Sequence, residues 1–162
     1  MFQYTADSFP ERLDDAAWQE GLAPDVVQDI RRSLASYPAL PYFLLTRRRI
    51  PTLAHKFEQL RSTGVTMLIG TDAGTPGNFH SDATWRELAT WVRLGASPMD
   101  AIQGATRWPA RFLKREQDLG TLAAGRYADI IAVRGDVLQD IGLLQHVDIV
   151  IKGGVSVRPA SR

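Results

Sequence analysis

An apolar run that ends in a glycine-rich turn is the feature that most constrains how this chain folds. Residues 65–69 are mostly apolar, and Gly70 to Gly74 follow them directly. A short apolar run bounded by glycine is typical of a strand buried on both faces of a parallel sheet. In barrel enzymes the C-terminal end of such a strand carries catalytic side chains. Asp72 is therefore the first candidate for a catalytic residue, but an Asp that only caps the next helix fits the same pattern.

Composition restricts the classes of partner. A chain of 162 residues with 44% hydrophobic and 23% charged residues is typical of a soluble globular domain. A net charge of +1 gives no reason to expect nucleic acid or an anionic membrane as a partner, and no apolar run is long enough to span a bilayer. The sequence has no cysteine, which excludes disulfides, thiolate nucleophiles and cysteine-type zinc sites. We expect a cytoplasmic protein.

Apolar periodicity predicts helices on both sides of this run. Pro24 opens one helix, Pro51 opens a second, and a third spans about 82–94. A fourth begins with Ser97 as N-cap, with Pro98 and Asp100 in its first turn. The helix–strand–helix order indicates an α/β unit. The side chains expected to face inward are Val26, Val27, Ile30, Leu34, Leu53, Phe57, Leu60, Trp85, Leu88, Ala89 and Val92.

The pattern changes to short strands after about residue 118. Ile130 to Val133 is predicted to be one strand. Residues 148–152 and 155–158 are predicted to form a hairpin, because two glycines at its turn tolerate positive φ angles. Strands this short do not make an independent domain and need partners from elsewhere.

Three histidines limit the possible metal sites. His55 and His146 are expected on the surface without a role, and Glu87 on the polar side of its helix. His80 follows Asp72 in the same loop, so it can approach whatever Asp72 serves, but it can equally be a loop or cap histidine. One Asp and one His are too few for tight zinc binding, which takes three or four protein ligands.

Several motifs together resemble one enzyme superfamily. Gly70 to Gly74 resembles the strand-eight signature of the metal-dependent amidohydrolases, in their imidazolonepropionase-like and prolidase-like branch. The order and spacing of the motifs, from about residue 51 to 157, are specific. The other matching segments are Trp85–Leu88, Leu94–Ile102, Ala105–Thr106, Pro109–Arg111, Asp118–Leu122, Ala124–Val133 and Val150–Gly154.

The resemblance implies an α/β fold, the C-terminal part of a (β/α)8 barrel with short strands of a composite β-sandwich. Residues 1–117 would be a partial barrel segment, with residues 65–71 as its eighth strand. Residues 118–162 would be the C-terminal strands of the small sandwich.

The resemblance also implies a metal-dependent hydrolase that cleaves C–N bonds in a small amide, cyclic amide or dipeptide-like substrate. Asp72 would be both a catalytic residue and a metal ligand, passing a proton from a metal-activated water to the leaving nitrogen. His80 would bind substrate. The implied cofactor is a divalent metal, with zinc the first choice.

The family's remaining metal ligands are absent from these 162 residues. We therefore expect the chain to be the C-terminal part of an amidohydrolase and to be inactive by itself. Two alternatives stay open. One is a non-catalytic remnant that self-associates or binds a partner, and the other is half of a split enzyme that pairs with a complementary barrel half.

Overall fold

The computed structural model describes residues 14, 16–19, 21–35, 45, 48–75 and 78–158. They divide into two compact units. The first contains the described residues up to Ser62 together with Thr71–Thr84. The second contains Thr63–Gly70 and the described residues from Trp85 onward. The sequence boundary near residue 117 stays a prediction.

Five α-helices have both ends within the described residues, and the four predicted ones are among them; Leu45, Arg48 and Arg49 are also helical. Short 3-10 turns lie at Ala16–Gln19, Ile50–Thr52 and Ile141–Gln145. No helix among the described residues is long and apolar enough to cross a membrane. The helices are α1 (Pro24–Ala35), α2 (Leu53–Ser62), α3 (Ala83–Arg93), α4 (Pro98–Ala105) and α5 (Arg107–Phe112).

Helix α4 begins as the sequence predicts. The Ser97 hydroxyl accepts a hydrogen bond from the Asp100 amide at 3.0 Å, and the Asp100 carboxylate accepts one from the Ser97 amide at 3.4 Å. This reciprocal pair satisfies two backbone donors that the first turn of a helix leaves without intrahelical partners. The predicted capping box is confirmed.

The second unit holds a three-stranded antiparallel sheet in the order β1-β2-β3. Its strands are β1 (Ile130–Val133), β2 (Val147–Lys152) and β3 (Val155–Arg158). Ile131 pairs with Val150, and Lys152 pairs with Val155. Gly153 and Gly154 both have positive φ angles, 56° and 82°, so the two-glycine turn predicted for the hairpin is confirmed.

The predicted strand at residues 65–69, which the family resemblance extends to an eighth strand at residues 65–71, is not a strand in the structure. Residues 65–70 belong to no ladder with the described residues, and Val65 is 52% exposed. The Ile69 amide donates to the Gly104 carbonyl at 2.9 Å, a bond to the last turn of α4 rather than to a sheet. A buried parallel strand exists only between neighbouring strands, and an apolar run cannot show whether those neighbours are present.

The predicted inward faces of the first two helices are only partly correct. Phe57 is buried, but Leu53 and Leu60 on the same helix are 37% and 52% exposed, and Val26 on α1 is 42% exposed. In contrast, α3 buries Leu88 and Trp91, and Gly104 of α4 lies directly against the Trp91 ring. Periodicity identifies an apolar stripe, but burial also needs an element that packs against it.

Candidate functional site

Asp72 begins a tight turn in an uncommon backbone conformation. Its φ angle is 52°, in the left-handed region that few residues other than glycine adopt. The Asp72 carbonyl accepts hydrogen bonds from the Thr75 hydroxyl at 3.0 Å and the Thr75 amide at 3.4 Å. The side chain is exposed, and no described residue donates a hydrogen bond to its carboxylate. The turn therefore engages the main chain of Asp72 and leaves its carboxylate available.

Asn78 closes the other side of the turn. Its side chain is buried, and its amide nitrogen Nδ2 donates to the Thr71 carbonyl. The backbone N–H of Asn78 donates to the Thr75 carbonyl, and the backbone N–H of Gly74 donates to the backbone carbonyl of Asn78, both at 2.9 Å. Sequence reasoning missed this residue. An Asn within a glycine-rich loop was the available signal, since Asn commonly bonds nearby backbone groups in turns.

His80 lies beside the same turn. A Cβ atom added to Gly74 would lie 3.2 Å from Cε1 of the His80 ring, so the imidazole packs against the glycine backbone. The φ angle of Gly74 is 99°, which independently favours glycine there. The structure thus brings the two predicted site residues to the same turn, with Asp72 in it and His80 beside it, and His80 is exposed.

An aromatic stack anchors the residue before His80. Phe79 stacks on Trp18 with ring centroids 4.5 Å apart and an interplanar angle of 11°. Both side chains are buried, and the Arg31 guanidinium lies 5.8 Å from the centre of the Trp18 ring. Buried offset aromatic pairs stabilise beyond their area alone, so this stack fixes the end of the loop that carries His80.

The described residues do not form a metal site. Across the ranges that the structure covers, no three His, Cys, Asp or Glu side chains lie close enough together to hold an ion. Asp72 and His80 would supply two ligands at most, whereas a catalytic zinc site normally takes three protein ligands. His55 and His146 are exposed, as predicted. A metal at Asp72 would need ligands from outside the described residues.

Glu87 is buried, contrary to the prediction of an exposed polar residue. Its side chain is 8% exposed, and its Oε1 accepts a hydrogen bond from the Gly70 amide at 3.2 Å. Burial raises the pKa of Glu87 above its ordinary value, and the Gly70 hydrogen bond opposes that effect. The prediction was wrong because a helical pattern does not show which loop covers its polar side.

Known proteins resemble this chain in sequence and in structure. The amidohydrolase family profile matches residues 45–157. An imidazolonepropionase from Aromatoleum aromaticum is 37% identical over 90 residues, which are 55% of this chain and 21% of that protein.

Two solved structures are also similar to this chain, and in each the similarity covers only part of the longer protein. A Xaa-Pro dipeptidase with methionine bound in its active site matches with a TM-score of 0.66 and 32% identity, covering 81% of this chain and 32% of the dipeptidase. Phenylurea hydrolase B matches with a TM-score of 0.57 and 25% identity, covering 62% of this chain and 26% of the hydrolase. The chain therefore spans about a fifth to a third of the length of these similar proteins.

Proposed function

This chain belongs to the amidohydrolase family, and we propose that it contributes to a hydrolase that cleaves C–N bonds in small amide or dipeptide-like substrates. The matched region, residues 45–157, contains both Asp72 and His80. The similar proteins include a dipeptidase and a phenylurea hydrolase, and peptides and ureas share the carbonyl C–N bond. Family membership also supports a partial (β/α)8 barrel in residues 1–117 and a sandwich contribution from residues 118–162. A cytoplasmic location is part of the same proposal.

The observation that carries this proposal is the available carboxylate of Asp72. The left-handed turn holds the Asp72 main chain through Thr75 and leaves the side chain exposed. A carboxylate left exposed in this way can accept a proton from the water that attacks the carbonyl carbon. It can then donate that proton to the leaving nitrogen. Asp72 would also be this chain's ligand to a divalent metal, zinc foremost, once other residues complete the site.

His80 is proposed to contact the substrate. Its imidazole packs against Gly74, two residues after Asp72, and the side chain is exposed. An imidazole can donate or accept a hydrogen bond with the polar groups of a dipeptide. We expect His80→Ala to raise KM more than it lowers kcat, because the carboxylate that moves the proton is unchanged.

Complementation tests the proposed function. The chain is produced together with the Xaa-Pro dipeptidase from which the third that matches this chain has been removed. Hydrolysis of methionyl-proline is then measured with added Zn²⁺ or Mn²⁺. We expect activity from the pair, none from either part alone, and a loss of at least about a hundredfold with Asp72→Asn. Glu116→Gln, which changes one exposed carboxylate elsewhere, is the matched control and should retain activity.

Each other outcome changes the conclusion. If Asp72→Asn retains more than a few per cent of the activity, Asp72 is not the proton carrier. If the pair is inactive although the intact dipeptidase is active, the chain cannot supply the missing part. Hydrolysis by the chain alone would overturn its dependence on a complementary barrel half.

A non-catalytic role in self-association is the second candidate. The register of the sheet places Ile131, Val150, Lys152 and Val155 on one face, and Ile131 and Val155 are 54% and 65% exposed. Exposed apolar side chains such as Ile131 and Val155 favour association with another surface. Sedimentation velocity tests it: a monomer at high micromolar concentration would exclude stable self-association. Replacement of Val155 by Lys should weaken any dimer that is seen.

A further inference from the structure

The Asp72 turn lies within a longer segment of the chain, residues 71–84. Residues 71–84 belong to the first unit, while the residues on either side of them, Gly70 and Trp85, belong to the second. The chain therefore leaves the second unit after Gly70 and returns to it at Trp85. Whatever holds these two points together limits the conformations open to the residues between them.

A hydrogen bond joins the chain just before this segment to the chain just after it. The Gly70 amide donates to Oε1 of Glu87 at 3.2 Å, across 17 positions in sequence. Glu87 lies on α3 just after the return point, and its side chain is only 8% exposed. Burying a carboxylate to this degree costs folding free energy unless a hydrogen bond compensates for the lost water. The Gly70 amide is the backbone donor to this carboxylate.

We infer that Glu87 is a positioning residue for Asp72, because its carboxylate fixes the backbone at Gly70, from which the Asp72 turn begins. This inference rests on the proposed function. Asp72 follows Gly70 by two residues and has a φ angle of 52°, a conformation that the neighbouring structure must maintain. Without the acceptor at residue 87, the segment of residues 71–84 has one fewer constraint where it begins. The Asp72 turn then samples more conformations.

Amide hydrogen exchange measured by NMR on the full chain tests this inference. In Glu87→Ala, the Gly70 amide and the Gly74 amide should each exchange about tenfold faster, the effect of losing one hydrogen bond of ordinary strength. Glu87→Gln keeps a carbonyl oxygen at the same place and should restore exchange to within about threefold of the original. Gly70→Ala is the matched control. It keeps the donor, and an added Cβ would meet no atom within 4 Å, so exchange should be unchanged.

A third amide separates positioning from general destabilisation. The Ala101 amide donates to the Ser97 carbonyl in α4 at 3.1 Å, and the Ala101 side chain is completely buried. If Ala101 accelerates as much as Gly70 in Glu87→Ala, Glu87 has only a general structural role and the inference is wrong. Faster exchange at Gly70 but not at Gly74 would also overturn it, since the effect would then stop short of the Asp72 turn.

The exchange measurement and the hydrolysis assay can each refute one hypothesis without refuting the other. If Glu87→Ala loosens Gly74 but Asp72→Asn leaves hydrolysis intact, the positioning effect exists and the proposed function is wrong. If Asp72→Asn abolishes hydrolysis but Glu87→Ala leaves both amides protected, the proposed function stands and the role of Glu87 does not.

Discussion

Asp129 and Lys152 form an ion pair beside the paired strands β1 and β2. The second oxygen of Asp129, Oδ1, accepts a hydrogen bond from the Gly153 amide at 2.7 Å, and the Gly154 amide donates to the Ala128 carbonyl at 3.0 Å. One exposed carboxylate thus ties the start of β1 to the turn between β2 and β3. The hydrogen bond from Lys152, followed by that from Gly153, lowers the pKa of Asp129.

Asp129→Asn is expected to destabilise the fold slightly at neutral pH. Because the pKa of Asp129 is lower in the folded state, its contribution is present above the ordinary Asp pKa. That contribution disappears as the pH falls through the lowered value. The difference in melting temperature between the original chain and the variant should therefore shrink from pH 7 towards pH 3. Glu116→Gln should show no such dependence, and a constant difference at every pH would contradict the prediction.

Replacement of Gly120 by alanine is expected to destabilise the fold more than the same replacement of Gly125, although the two φ angles are nearly equal. Gly120 and Gly125 have φ angles of 84° and 85°, but only Gly120 is crowded. A Cβ there would lie 2.7 Å from the Ala110 Cβ and 2.7 Å from the Thr106 carbonyl. Gly120→Ala should cost about 1–3 kcal/mol more than Gly125→Ala in urea unfolding. Equal losses would show that backbone conformation alone is responsible.

Glu87→Gln is expected to change how stability depends on pH. The pKa of Glu87 is raised, so its contribution to stability is present below the ordinary Glu pKa and is lost as the pH rises through the raised value. Gln does not ionise. The variant should therefore gain stability relative to the original chain as the pH rises from the ordinary Glu pKa through the raised value, measured by urea unfolding. A difference that does not change with pH would show that burial has no effect on Glu87 ionisation.

Ser97→Ala is expected to cost about 1 kcal/mol of folding free energy, because the Asp100 amide loses its capping acceptor. Ser97→Asp should recover most of that loss, since Asp is an equally good N-cap residue. Thermal unfolding followed by circular dichroism at 222 nm measures both. If Ser97→Asp is as unstable as Ser97→Ala, the cap does not contribute through its hydrogen bond.

Phe79→Leu is expected to lower the free energy of unfolding by about 1 kcal/mol, because it removes the stack on Trp18 while keeping an apolar side chain. Phe112→Leu is the matched control. Phe112 is 74% exposed, so the same change there should have little effect. Chemical unfolding followed by tryptophan fluorescence distinguishes the two, and equal losses would exclude a contribution from stacking.

Features that depend on nearby residues could be predicted from the sequence. The Ser97 cap depends on a residue three positions away, and the β2–β3 hairpin depends on two adjacent glycines. Asp72 and His80 could be identified as candidates because they share one short loop. In each case the interacting groups are close in sequence, so residue type and spacing carry the necessary information.

Features that depend on distant residues could not be predicted in this way. The run at residues 65–69 has the composition of a buried strand, but whether it forms one depends on neighbouring strands that its own sequence does not specify. Glu87 reads as an exposed helical residue because the Gly70 amide that it contacts lies 17 positions away. The left-handed backbone of Asp72 depends on bonds made by Thr75 and Asn78 around it, which the residue type alone does not show.

The backbone at Asp72 has an evolutionary consequence. At a φ angle of 52°, glycine is the easiest residue to accommodate, and every side chain there carries a conformational cost. Selection for a stable fold alone would drive this position towards glycine, whereas selection for chemistry would retain the acid in spite of the cost. The residue at this position in close homologues therefore distinguishes lineages that still use the carboxylate from those that keep only the scaffold.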